Sequence, residues 1–139
     1  MRQPVLVDTS AIVGLYLEAD GWHAPARKVM AELQAKRRPL FFTTDIFDEA
    51  VTLMRRWGGY EVAIKAGEAL RESRVMHLVE VDERARDEAW RLFKAHKSPD
   101  LSFSDCTSAA IMERLGIEEV FAFDSDFRGF GFTMLPRPK

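Results

Sequence analysis

The chain has 139 residues, 47% hydrophobic and 30% charged, with a formal net charge of −2. That is the composition of a soluble globular protein, long enough for one domain with a real core. It excludes a global basic signature for nucleic acid, so any grip on phosphate must come from a local patch.

Pro4-Val-Leu-Val7 is a short apolar run ending at Asp8, the pattern of a buried parallel strand. Thr9 or Ser10 opens a helix through about Glu18, and Gly21 breaks it. A second helix runs from Trp22 or His23 to about Lys36 and ends at Arg37-Arg-Pro39, because Pro39 disfavours a helical residue before it. Leu40-Phe-Phe-Thr43 is the second strand, and Thr44 caps a helix through Trp57 that stops at Gly58-Gly59. Tyr60 to Ser73 is helical, and Met76 to Val81 alternates like a strand. Asp82 caps the helix Glu83–His96, and Lys97-Ser-Pro99 makes a turn. Ser102 or Ser104 caps the helix that carries Asp105 and ends at Gly116. Glu119 to Phe123 is a strand ending at Asp124, and Phe132 to Leu135 is a last, edge strand.

Strands alternating with helices imply an α/β fold whose parallel sheet is covered on both faces. No internal repeat or linker interrupts it, so residues 1–139 are expected to form one domain. The single cysteine, Cys106, excludes an internal disulfide and a CxxC zinc site and fits a reducing compartment. No apolar run approaches the roughly 20 residues that span a bilayer. The chain opens on a strand pattern, so no signal peptide and a cytoplasmic location are expected.

Parallel sheets of this kind bind ligands beyond the carboxyl ends of their strands. Asp8 and Asp124 fall there, and Asp105 does so if its helix begins at that end. Each acid has two readings. Asp8 is an N-cap or a metal-ligating carboxylate. Glu49 lies at the edge of its helix's apolar stripe, where it either pairs with Arg56 or reaches a buried cleft. Asp48 lies outside the stripe, and Asp45, one turn before Glu49, is an auxiliary candidate. Asp105 sits on the side of its helix that carries most of the apolar and small residues; it either serves the helix start or faces a site. Asp124 and Asp126 bracket Ser125 in an Asx-rich turn or at a metal site. Asp124 is favoured because it follows a strand directly, with Asp126 assisting. Asp82 reads as a cap only, and Cys106 as a small buried residue. His23, His77 and His96 lack ligand-like spacing and receive no role. Trp57, Trp90 and the ten phenylalanines read mostly as core.

Four carboxylates converging in a partly buried cleft repel one another, and some would be protonated without a counter-charge. A hard divalent cation, Mg²⁺ or Mn²⁺, takes oxygen ligands and removes that repulsion. Such ions activate water and stabilise charge on an attacked phosphodiester.

In order along the chain, Val5-Leu-Val-Asp-Thr-Ser-Ala-Ile12, Thr44-Asp-Ile-Phe-Asp-Glu-Ala-Val51, Leu101-Ser-Phe-Ser-Asp-Cys106 and Val120-Phe-Ala-Phe-Asp-Ser-Asp-Phe-Arg-Gly-Phe-Gly-Phe132 resemble the four acid motifs of the PIN-domain family of metal-dependent nucleases. Each motif alone is weak; the ordered set, spanning nearly the whole chain, is specific. The resemblance implies a three-layer α/β/α sandwich with a mainly parallel sheet. It implies Mg²⁺ or Mn²⁺, and Asp8, Glu49, Asp105 and Asp124 as the catalytic and metal-binding acids. Asp126 is an extra acid that departs from the pattern at the fourth motif. Thr9 or Ser10 would orient the first acid or a water. The implied activity is hydrolysis of RNA. Compact family members are often toxins of the VapC type, held by a small antitoxin and frequently homodimeric. For the RNA path, Arg56 shares the side of Glu49, and Lys94 and Lys97 precede the Asp105 helix.

Three rivals are weighed. A receiver domain would place adjacent acids after the first strand and a lysine after the last, but Thr9 follows Asp8 and no lysine follows Phe123. A haloacid-dehalogenase phosphatase would place an acid at position 10, where Ser10 stands. A non-catalytic PIN fold that binds RNA or protein is disfavoured by the retention of all four acids.

Overall fold

The computed structural model describes residues 2–124 and 126–137. Strand β1 (Val5–Val7) has all three residues fully buried. Successive strand residues face opposite sides of a sheet, so this burial means that both faces are covered. The three-layer arrangement follows from that one observation.

Helices α1 (Thr9–Tyr16) and α2 (His23–Ala35) lead to β2 (Leu40–Thr43). Next come α3 (Thr44–Gly58), α4 (Tyr60–Glu72) and β3 (Met76–Val79). Helices α5 (Glu83–Ala95) and α6 (Phe103–Leu115) precede β4 (Glu119–Phe121), and a 3₁₀ turn (Arg128–Phe130) precedes β5 (Thr133–Leu135). The strands form one sheet in the order β3-β2-β1-β4-β5, and every pairing is parallel. Strand β5 lies at the edge, as its sequence predicts.

From β1 the chain builds outward to β2 and β3, then returns to the other side of β1 for β4 and β5. The strand order therefore reverses between β1 and β4, and a crevice opens there beyond the carboxyl ends. The Asp8 amide donates to the Phe121 carbonyl at 2.9 Å and fixes the floor of that crevice.

Local chemistry explains most element ends and corrects some. The cap of α3 is Thr43, not Thr44: the Thr43 Oγ1 accepts from the Ile46 amide at 3.1 Å. The Thr44 hydroxyl instead accepts from the Val81 amide at 3.0 Å and ties the segment after β3 to α3. Gly59, at φ 92°, makes the corner between α3 and α4 in a conformation that side chains disfavour. Asp82 caps α5 through Ala85 and also receives two hydrogen bonds from Arg114, at 2.9 and 3.1 Å. These hold its carboxyl below the ordinary range, the Arg114 bond contributing most. Ser102, rather than Ser104, caps α6. Strand β3 ends at Val79 and β4 at Phe121, each two residues earlier than the sequence predicts.

Thr43 is fully buried. Thr43→Val keeps the shape and deletes the cap, so a loss of about 1 kcal/mol is expected in urea unfolding. An unchanged midpoint would show that the cap does not hold α3.

The tryptophans depart from expectation. Trp57 is 62% exposed and Trp90 53% exposed, whereas Phe42, Phe121 and Phe127 are fully buried. Ala85 and Ala89 are the buried residues of α5. Small side chains let α5 approach its neighbour, which leaves Trp90 stacked on Phe93 at the surface.

Candidate active site

Asp8 ends β1 at the crevice and is 5% exposed. It occupies the N-cap position of α1, yet its side chain makes no capping hydrogen bond. Asp8 is thus a cap by position, without a side-chain capping bond, and lines the crevice as well. Glu49, Leu53 and Trp57 recur at four-residue spacing and share one face of α3. Asp124 lies three residues beyond β4, not directly at its end. Ser10 places it: the Ser10 Oγ accepts from the Phe123 amide at 2.8 Å and from the Asp124 amide at 3.3 Å. Ser10 therefore orients the fourth acid segment, whereas the family resemblance had assigned Thr9 or Ser10 to the first acid or a water. Thr9 itself is buried beside Asp8.

Two cavities meet at these residues. The first, about 90 Å³, is lined by Asp8, Thr9, Ser10, Glu49 and Asp124, with Trp22 and Trp57 among its walls. The second, about 600 Å³, is lined by Glu49, Asp105, Asp124 and Asp126, with His96 and Phe130 among its walls. Glu49 and Asp124 border both. The first has room for an ion and a few waters, the second for a nucleotide-sized group.

Asp105 is half-buried and completes a capping box: its Oδ2 accepts from the Ser102 amide at 3.3 Å, while its own amide donates to the Ser102 Oγ at 3.0 Å. Helix-start duty and cavity lining coexist in this residue. Asp45 faces neither cavity. Its Oδ2 accepts from the Thr107 hydroxyl at 2.8 Å, a clasp between α3 and α6. Asp48 is exposed and also lines neither cavity.

Asp126 receives two 3.0 Å bonds from the Arg128 guanidinium and one from its amide. Arg128 holds its carboxyl below the ordinary range. A depressed folded value favours the fold at neutral pH and loses that effect as pH falls through it. Both groups are exposed, so the effect is small.

Arg56, Lys94 and Lys97 are exposed and line neither cavity. Among the described residues no salt bridge joins Arg56 to Asp45 or Glu49, so the orienting pair weighed for Arg56 is absent. Cys106 is fully buried, and burial, then the Asp105 charge, pushes its thiol up to about 11. Such a thiol is inert.

Three aromatic side chains at the site escaped the sequence reading. Trp22 and Trp57 border the first cavity, and His96 borders the second. The His96 Nδ1 lies 2.9 Å from the Leu92 carbonyl. A carbonyl only accepts, so Nδ1 carries the proton and Nε2 is the second polar atom. His96 has no motif to announce it; it reaches the cavity because α5 ends there.

The donor set is all oxygen, which fits a hard divalent cation in chemistry. Among the described residues, no three acidic, imidazole or thiol groups come close enough to hold one ion.

The PIN-domain family profile matches residues 5–132. The chain belongs to the PIN-domain family. This PIN domain is 33% identical over 130 residues to the 23S rRNA-specific endonuclease VapC20 of Mycobacterium tuberculosis, covering 93% of this chain and 95% of that protein, in both strains compared, CDC 1551/Oshkosh and H37Rv. The crystal structure of M. tuberculosis VapC20, described as a sarcin-ricin loop cleaving toxin, superposes with a TM-score of 0.82 at 32% identity, over 93% of this chain and 96% of that one. A toxin-antitoxin complex from Klebsiella pneumoniae matches with a TM-score of 0.60 at 13% identity, over 90% and 91% of the two chains, and shares the fold alone. Among the described residues no helix is long and apolar enough to cross a membrane.

Proposed function

We propose that residues 1–139 form one metal-dependent endoribonuclease domain, the toxin of a type II toxin–antitoxin pair. One observation carries the reading: Asp8, Glu49 and Asp124 line a single small cavity at the strand-order reversal, and Asp105 lines the cavity that adjoins it. The likeness to VapC20 over nearly its whole length supports the same activity class and makes 23S rRNA the first substrate to test.

In this role Asp8, Glu49, Asp105 and Asp124 would hold Mg²⁺ or Mn²⁺ once drawn closer together by the ion, with Asp126 assisting at the rim. When bound, a divalent cation would supply Lewis acidity at the attacked phosphate and offset the carboxylate charge around the crevice. The carboxylates orient the attacking water and take up its proton. Ser10 fixes the Asp124 segment, and buried Thr9 packs beside Asp8. Cytoplasmic location, a homodimer and a small antitoxin partner belong to the same proposal. A small antitoxin-like reading frame beside the gene would support it.

The deciding experiment incubates purified protein with 23S rRNA, with Mg²⁺, with Mn²⁺ and with EDTA, and maps the cut. Site-specific cleavage that EDTA abolishes is expected. Retained RNA binding without any cleavage would turn the assignment to a non-catalytic PIN-fold binding module.

Asp124 borders both cavities, whereas Asp126 borders one and is engaged by Arg128. Asp124→Asn is therefore expected to lower the cleavage rate by at least about tenfold more than Asp126→Asn. The reverse order in single-turnover rates would exchange their roles.

Positive charge for the RNA backbone must be local, and Arg56, Lys94 and Lys97 are the proposed phosphate-binding cations. Replacing any one of them with alanine should lower the slope of log K against log salt by about 0.7 for a single strand. Binding isotherms over a salt series, in an Asp8→Asn background that blocks cutting, measure it. Three unchanged slopes would place the RNA path elsewhere.

A further inference from the structure

Trp22 is 44% exposed, yet it is firmly held. Its indole lies flat on Phe123, with ring centroids 4.6 Å apart and planes 9° from parallel. The Trp22 amide donates to the Asp20 carboxylate at 3.0 Å, and the adjacent His23 ring donates from Nδ1 to the Gly14 carbonyl at 2.8 Å. A Cβ at Gly14 would crowd the Ala26 Cβ at 3.2 Å and meet Trp22 only at an ordinary 3.4 Å, so Gly14 serves the approach of α1 to α2. Trp22 thus presents a large aromatic surface next to the Asp124 segment, held in one orientation by its stack on Phe123.

Trp22 also joins two spaces. On one side it borders the small acid cavity with Asp8, Glu49 and Asp124. On the other it borders a depression of about 670 Å³ lined with Phe123, Phe132, Pro25, Met134 and Arg128. That depression is of nucleotide size and mainly apolar; Arg128, bonded to Asp126, and Arg137, bonded to Glu119, stand at its edge. The acid cavity is too small for a nucleobase, so the groups flanking a phosphate placed there must lie outside it.

We propose that the Trp22–Phe123 stack is a base platform: an unpaired nucleotide beside the scissile phosphate lies in this depression, its base on the aromatic surface. This rests on the ribonuclease reading and adds a specificity-determining residue to it. A paired base has both faces covered by its neighbours and cannot use the platform, so the cut falls where the strand is unstacked. Stacking is tolerant of base identity, so the platform selects for an unpaired nucleotide rather than for a sequence.

The test combines the protein variant with the missing base. Once the cut in 23S rRNA is mapped, short RNA hairpins spanning it are made intact and with a single abasic site at each flanking position. Binding is measured in the Asp8→Asn background for Trp22, Trp22→Ala and Trp22→Phe, with melting curves to confirm folding. Trp22→Ala is expected to weaken binding of intact RNA by about ten- to a hundredfold, and Trp22→Phe to recover most of it. For one abasic position, Trp22 and Trp22→Ala should bind alike within about twofold, because the pair is already broken. Equal loss on intact and abasic RNA would make Trp22 a mere support for Asp124 and overturn the platform. No loss with either RNA would also overturn it, and Trp22→Ala disrupting only a complex with a protein partner or a second copy would assign the surface to that complex. Wild-type protein that neither binds nor cuts RNA removes the ribonuclease reading as well, an outcome distinct from binding without base dependence.

Discussion

Replacing Asp8 with asparagine is expected to abolish metal-dependent RNA cleavage. The loss should exceed the roughly 10–100-fold that removal of an outer-shell metal partner costs, because Asp8 is the proposed direct ligand. Asparagine keeps the size of the side chain and one oxygen but removes the charge that draws a cation into the small cavity. Asp8 is nearly buried and lines that cavity with the more exposed Glu49 and Asp124, so of the three it is the least screened by solvent. A second readout separates a lost ligand from a lost fold. Mg²⁺ should raise the melting temperature of the wild type and leave Asp8→Asn unmoved, since a ligand stabilises only the state that binds it. Without metal, the variant should melt no lower than the wild type, because one of several clustered negative charges has gone. Wild-type cleavage by Asp8→Asn would mean that the acids at the crevice are not the catalytic centre.

Phe127→Ala is expected to be the most destabilising single change near the site. Phe127 is fully buried, immediately after Asp126, and its carbonyl accepts from the Phe130 amide at 3.1 Å and the Phe132 amide at 3.4 Å. Its ring packs towards Phe130 at 6.4 Å. Truncating a buried phenylalanine costs about 3–5 kcal/mol, a large part of the roughly 5–15 kcal/mol that holds a domain folded. The same change releases the anchor behind Asp124 and Asp126. Urea unfolding should show a much lower midpoint, and Phe127→Leu should retain more than half of the lost stability. A midpoint within experimental error of the wild type would show that the loop is held by other residues.

Much of the fold was legible because its signals are short-range. β2 was read residue for residue from Leu40-Phe-Phe-Thr43, and Gly116 marked the end of α6, where it adopts φ 69°. Of the acids that line the crevice, Asp8 stood out because it ends an apolar run, and the family resemblance singled out Glu49, Asp105 and Asp124. What escaped depends on interactions between distant segments. Hydrophobicity placed Trp57 in the core, but the α3 face that carries it points at the crevice. Phe123 was read as strand, yet pairing stops at Phe121, because the chain there turns to meet Ser10. The Asp45–Thr107 clasp joins residues 62 apart and leaves no local trace.

The Ser10 hydroxyl and the Phe123 and Asp124 amides are separated by 113 and 114 residues. β1 pairs with β2 soon after it is made, but its other edge, beside which the Asp124 segment sits, stays open until β4 arrives. A nascent chain therefore carries Asp8, Glu49 and Asp105 as scattered charges, without a closed crevice to hold them, until β4 and the Asp124 segment have been made. For a protein proposed to cut ribosomal RNA, this topology ties competence to the arrival of the Asp124 segment, and the machine that makes the chain is spared up to that point.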